Sequence, residues 1–292
     1  MRTIAVFFLY LLGCMLLSAA LLPWLYPVFE ATLGATPDRA LYRFAMFLGL
    51  LGMPLLLRAL HLRGRETMGF APLPYGWQRA MIRGLLFGAL ILTGLVIALL
   101  LSGAREFTPR DITPALVVNY ALSGLASGLA VGLIEEFFFR GPMHSGARRQ
   151  LSFWPTALLI GVFYSMVHFM RPIAPLGEEI TLGVALDMMF GGFARLGDFA
   201  GIADRFVALL VAGVFLSMVR ERTGSIVWAI GIHAGWVMII KLGKKLTVTA
   251  PDAANAWLVS GDGITGWLST AWMALIAAAY WYLSDPKRRK PA

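Results

Sequence analysis

Five ionisable side chains stand in stretches that are otherwise apolar. Glu135, Glu136 and Arg140 lie in Gly132-Leu133-Ile134-Glu135-Glu136-Phe137-Phe138-Phe139-Arg140. His168 closes the run Gly161-Val162-Phe163-Tyr164-Ser165-Met166-Val167-His168, and His233 sits in Gly231-Ile232-His233-Ala234-Gly235-Trp236. An ionisable group at membrane depth costs about 2.5–3.5 kcal/mol on insertion scales, so each is a functional candidate. Glu136 and Arg140 are four apart and share one face of a helix, where they form an ion pair. Glu135 points about 100° away and is left to face something else. Two adjacent carboxylates in a low dielectric resist joint ionisation, so one must be tightly paired or keep a proton. That division suits a positioned base with a structural neighbour. A single histidine in an apolar helix is often only a hydrogen-bonding strut between helices, and the spacing argues for more. Glu135 and His168 are 33 residues apart, with their midpoint near Leu151-Ser152. Arg148 and Arg149 precede that point, and Ser152 with Pro155 suits a helix start, so a hairpin turns there. Residues equidistant from the turn then lie at one depth, provided the first helix runs on to about Arg149 with a bend at Pro142. His233 lies about 12 Å into its own span from Ser225, a similar depth.

The elements that must hold these groups are membrane helices. Of 292 residues, 59% are hydrophobic and 14% charged, and the mean hydropathy is +0.73. Soluble domains carry about 25% charged residues. A span needs about 20 apolar residues, and eight segments qualify: 4–25, 40–60, 80–103, 115–141, 153–170, 205–220, 224–243 and 264–283. The sixth is the shortest. The fold class is therefore an all-α polytopic bundle of about eight transmembrane helices. It divides into 1–114 as scaffold or substrate gate, 115–243 as the chemical core, and 244–292 as a last helix with a basic tail. The net charge of +9 comes from short clusters between apolar runs, which fits a lipid bilayer with anionic headgroups rather than nucleic acid. Arg58, Arg63, Arg65, Arg79, Arg83, Arg148, Arg149, Arg220, Arg222 and the tail Lys287-Arg288-Arg289-Lys290 fall on one side; both termini share it, and the bias makes it cytoplasmic. Arg39, Arg43, Arg105, Arg110, Lys241, Lys244 and Lys245 fall on the other, with Glu178, Glu179, Asp187, Asp198 and Asp204 of the 171–204 connection. That connection reads either as an interfacial helix capping a cavity or as a disordered loop. Cys14 lies in the first apolar run and has no partner for an internal disulfide; the run continues well past it, against a cleaved signal peptide. Ser123, Gly124, Ala126, Ser127 and Gly128 either line an aqueous cavity or pack helices closely. His61 and His144 read as solvated, with His144 a lesser candidate for substrate contact.

The pattern resembles the CAAX protease and bacteriocin-processing family, also called type II CAAX endopeptidase-like. Its EExxxR motif is matched by Glu135, Glu136 and Arg140. Its FxxxH motif is met by Tyr164 and His168, with Tyr for Phe. Its HxxxN motif is met at His233, with Val237 in place of Asn. The resemblance covers residues 115–243. It implies that Glu135 activates a water molecule, that His168 holds that water or moves its proton, that Glu136 and Arg140 support Glu135, and that His233 donates to the oxyanion. Valine cannot replace the Asn donor, and loss of one such donor costs about 2.7–4 kcal/mol in activation. Trp236 is the candidate substitute through its indole N–H. The resemblance implies a mechanism without a cofactor. Two histidines and a glutamate also suit zinc with an open position, although no HExxH helix is present.

Amide hydrolysis needs a nucleophile, a base and an oxyanion site. No Ser, Cys or Lys has a clear activating partner here, which favours an activated water over a covalent mechanism. The expected activity is cleavage of a peptide bond in a membrane-anchored protein or peptide. Two other readings stand beside it. A catalytically inactive module (immunity factor, chaperone or scaffold) would keep the pocket for binding, and Val237 favours it. A transporter or proton relay would use the same charged residues.

Overall fold

The computed structural model describes residues 2–108, 112–175, 177, 179–250, 255–260 and 263–285. Arg110, Glu178 and the basic tail Lys287–Lys290 lie outside the described residues. Among the described residues there are ten α-helices: α1 (Arg2–Leu33), α2 (Pro37–Ala59), α3 (Trp77–Leu101), α4 (Pro114–Phe138), α5 (His144–Arg148), α6 (Phe153–Phe169), α7 (Leu182–Ala194), α8 (Phe199–Thr223), α9 (Val227–Leu246) and α10 (Trp267–Leu283). A short antiparallel ribbon pairs β1 (Arg105–Phe107) with β2 (Thr247–Thr249). The chain is a polytopic, all-α integral membrane bundle.

Among the described residues, α1, α2, α3, α4 with its continuation, α8 and α9 are long and apolar enough to cross a membrane. That is six helices where the sequence suggests eight spans. The other two segments form α6 and α10, each of 17 residues. At 1.5 Å per residue these reach about 25 Å, short of a hydrocarbon core of about 30 Å. Pro172 helps stop α6, because the residue before a proline is pushed out of the helical region. α10 cannot begin before Gly266, whose φ of 152° is non-helical. The segment expected at 205–220 is longer than its apolar run: α8 starts at Phe199, where Asp198 accepts from the Gly201 N–H, and ends at Gly224 in the left-handed region.

The long connection 171–204 is not a disordered loop where described. Thr181 caps α7 by accepting from the Val184 N–H at 3.3 Å. Ala185, Met188 and Met189 are buried against Ala19, Leu22 and Leu41 of α1 and α2. Cross-links tie one face of the bundle together. Gln150 donates to Thr3, Arg149 to the His61 carbonyl, Arg220 to the Glu66 carbonyl and Arg222 to the Trp281 carbonyl. The beginning of α1 and the end of α10 therefore lie on the same face. The β-ribbon closes the opposite one, around buried Arg105, which donates to Thr247 and to the Gly263 carbonyl at 2.6 Å.

α9 is the central helix. Gly84 and Gly88 of α3 and Gly124, Gly128 and Gly132 of α4 bring both neighbours to within backbone contact of it. A Cβ at Gly128 would stand 2.7 Å from the Ala234 carbonyl oxygen. Gly124 and Gly128 thus serve helix packing rather than a cavity wall.

Candidate active site

α4 carries the two carboxylates on its last turn. Beyond Phe138 the helix widens into a π-helical turn, Phe139–Met143, in which Gly141 leaves helical geometry at ψ −114°. Pro142 has no N–H to continue the ladder. The chain then resumes as α5, so the helix does run on past Arg140 with a bend at Pro142. Such widened turns are frequent at functional sites. Here the turn keeps Arg140 over the preceding coil while redirecting the chain towards the hairpin at Leu151-Ser152.

Arg140 and Glu136 are both fully buried, with Nη1 3.1 Å from Oε1. The second amino group donates to the Gly213 carbonyl of α8 at 3.0 Å. The guanidinium also stacks over the Tyr164 ring, 4.6 Å from its centroid. Glu136 Oε1 meets His233 Nδ1 at 2.9 Å. Gly132 lies one turn before Glu136, and its missing side chain lets the His233 Cβ approach α4. A relay Arg140–Glu136–His233 therefore fixes the imidazole ring from behind.

Glu135 points the other way. Its Oε2 is buried without a hydrogen-bond partner. It stands 3.9 Å from His168 Nε2 and 3.9 Å from His233 Nε2. Both separations exceed a direct hydrogen bond, and both are short enough for one water to span with two bonds of about 2.8 Å. His168 Nδ1 is 2.7 Å from the Tyr164 carbonyl. A carbonyl only accepts, so a proton sits on Nδ1, and Nε2 is the ring nitrogen left facing Glu135. The Tyr164 ring lies 4.5 Å from the His168 ring, and its hydroxyl lies against the Glu135 carboxylate. Glu135, Glu136, Arg140, Tyr164, His168 and His233 thus converge on one locus. Among the described residues, no three His, Cys, Asp or Glu side chains are grouped to hold a metal ion.

Trp236 stands apart from this locus. Its ring is 6.4 Å from that of His233 and packs 5.9 Å from Phe215, in the core formed with α3, α8 and α10. The indole nitrogen is buried and unpaired, but Trp236 does not line the cavity beside Glu135. Ser123 and Ser127 do not line it either; Ser123 accepts from Lys241, and Ser127 donates to the Ser123 carbonyl.

The cavity encloses about 110 Å³ between α1, α2, α4 and α6, with Glu135 and His168 in a wall that is otherwise largely apolar. Met15, Met46 and Met53 furnish part of it, side chains that adapt to varied apolar shapes. Tyr42 of α2 is the phenol in this wall, and Arg171 stacks on its ring at 5.3 Å. Sequence reasoning missed both. Their signal was thin: a tyrosine in an apolar span, and an arginine three residues past His168. His144 corrects another expectation. It is 3% exposed, not solvated, with Nε2 3.9 Å from Glu221. The continuation beyond Pro142 tucks it beneath the bundle. His61 is exposed as expected.

A comparison with family models gives one match: residues 117–239 fit the family described as type II CAAX prenyl endopeptidase Rce1-like. The matched segment holds both carboxylates, both histidines and the arginine. No curated protein and no solved structure matches the chain.

Proposed function

With residues 117–239 belonging to the type II CAAX prenyl endopeptidase Rce1-like family, we propose that the chain is an intramembrane endopeptidase in which Glu135 activates water against a peptide bond. The observation that carries this reading is the unpaired Glu135 Oε2 facing two imidazole Nε2 atoms at 3.9 Å each. Water held between Glu135 and His168 loses a proton to the carboxylate as its oxygen attacks the scissile carbonyl carbon. The carbonyl oxygen becomes an oxyanion beside His233 Nε2. Because His233 Nδ1–H is committed to Glu136, donation from Nε2 requires the imidazolium, and Glu136 supplies its counter-charge. The proton taken from water then passes to the leaving nitrogen, the C–N bond breaks, and an acid and an amine depart. The mechanism is proposed to run without a metal, so a chelator is expected to leave cleavage unchanged; loss of cleavage in chelator, restored by zinc, would assign Glu135, His168 and His233 to a metal instead.

The apolar cavity between α1, α2, α4 and α6 supports a membrane-anchored protein or peptide as substrate. Residues 1–114 then act as scaffold and substrate wall, and the cross-linked face rich in arginine is the cytoplasmic one. The test compares purified wild type with Glu135→Gln on a library of tagged, membrane-anchored peptides. Glu135→Gln is expected to fold and to cleave nothing; equal product from both proteins refutes the role. Val237, one turn beyond His233, favours the second reading of an inactive binding module. Val237→Asn raises the rate of a slow enzyme and leaves an inactive module at zero.

A further inference from the structure

On the far side of α9 from the catalytic groups, a second cavity of about 460 Å³ opens between α3, α8, α9 and α10. Its chemistry differs from that of the cavity beside Glu135. Arg83 stands at the exposed rim and stacks over Tyr75 at 5.3 Å. Arg222 lies inside, its guanidinium 3.9 Å from the centre of the Trp281 ring and one amino group donating to the Trp281 carbonyl. Neither arginine has a carboxylate partner among the described residues. The Arg222 Nε and Ser284 Oγ atoms are buried with no hydrogen-bond partner. The Tyr75 hydroxyl accepts from the Trp228 indole at 2.8 Å, so its own proton is left to give.

We infer that this cavity binds the phosphate of an anionic phospholipid headgroup, one with no cation of its own to compete with the two arginines. Arginine side chains only donate, and the free valence at Tyr75 is likewise a donor. A pocket with two positive charges and a surplus of donors lacks an acceptor-rich anion, and guanidinium pairs with phosphate in forked geometry. Simple snorkelling of arginine to water does not account for the arrangement. Arg222 turns inward over an aromatic face, and its Nε is removed from solvent. The cavity lies on the arginine-rich face of the bundle, where basic pockets between membrane helices meet anionic headgroups. Trp228 and Ile232 form part of its wall, so an occupant rests on the same helix that carries His233.

The test reads lipid binding directly and is independent of proteolysis. Detergent-purified protein is offered equal amounts of phosphatidylglycerol and phosphatidylcholine, and retained lipid is counted by native mass spectrometry. Wild type is expected to prefer phosphatidylglycerol by about tenfold, the effect of one or two charge-assisted hydrogen bonds. Arg83→Gln/Arg222→Gln is expected to lose that preference. Arg58→Gln/Arg65→Gln, which removes two charges from the same face outside the cavity, is expected to keep it. Should the double variant not fold, Arg83→Gln alone at the exposed rim takes its place, and the competition on wild type needs no variant. Equal retention of the two lipids by wild type, or a preference that survives in Arg83→Gln/Arg222→Gln, overturns the inference. Displacement of phosphatidylglycerol by inorganic phosphate supports the anion site and makes free phosphate its source.

Discussion

Replacing Glu136 by glutamine tests the relay behind His233 at nearly constant volume. Arg140 is fully buried, Glu136 is its one carboxylate within ion-pair distance among the described residues, and the Arg140 Nε has no partner. Glutamine can still accept one bond from the guanidinium, but the buried cation then lacks a counter-charge. Breaking a buried ion pair costs about 3–5 kcal/mol, and the retained hydrogen bond places Glu136→Gln near 3 kcal/mol on that scale. Adding Arg140→Met removes the stranded charge. The double variant is therefore expected to be less destabilised than the sum of its singles, with a coupling of about 2 kcal/mol. The assay is denaturant unfolding in micelles followed by circular dichroism, run on wild type, both singles and the double. Cleavage should fall in all three variants, because His233 loses its anionic partner in each or loses the group that holds that partner. Stability of Glu136→Gln equal to wild type, or strict additivity, refutes the buried-pair account whatever the activity does.

Three further outcomes follow from the packing. Gly128→Val should destabilise the protein by about 1–3 kcal/mol or more through overpacking against the Ala234 carbonyl, whereas Gly13→Val, with nothing within 4 Å of its Cβ, should not; thermal unfolding in one detergent separates them. Arg220→Lys loses the Nε bond to the Arg140 carbonyl at 3.0 Å and the bond to the Glu66 carbonyl, so the π-helical turn loosens. Turnover should fall about tenfold with KM little changed, and an equal fall in affinity would point to a general folding defect instead. Arg105→Met leaves the Thr247 and Gly263 carbonyls without their donor and should cost about 3 kcal/mol, read as earlier unfolding and faster hydrogen exchange in the β-ribbon.

What the sequence made legible was local or symmetric. The Glu136–Arg140 pair follows from helical spacing alone, and the assignment of Glu135 to a different direction follows from the angle between adjacent residues. The meeting of Glu135 with His168 follows from their equal distance to a turn marked by Arg148, Arg149 and Ser152. The bond from His233 to Glu136 was not legible, since depth in a span does not say which of two carboxylates an imidazole reaches. Tyr42 and Arg171 were missed because their contact joins segments more than a hundred residues apart. His144 looked solvated because hydropathy windows score a residue by its neighbours in sequence, and its cover comes from other helices. Two of the eight apolar segments form the shorter helices α6 and α10, of 17 residues each, because apolar length sets an upper bound while Pro172 and Gly266 decide where the helix stops.

The glycine contacts around α9 bear on how such a protein can move. With α3 and α4 both in backbone contact with it, α9 has almost no room to slide or turn, since any rotation carries side chains into space that only hydrogen atoms fit. His233 then behaves as an anvil: close helix packing holds its main chain, and the bond to Glu136 holds its ring. The opposite wall is built from the flanks of α1 and α2 and includes Met15, Met46 and Met53, side chains that adapt their shape. On the proposed function, entry of a peptide is expected from that side, with Glu135, His168 and His233 held in place.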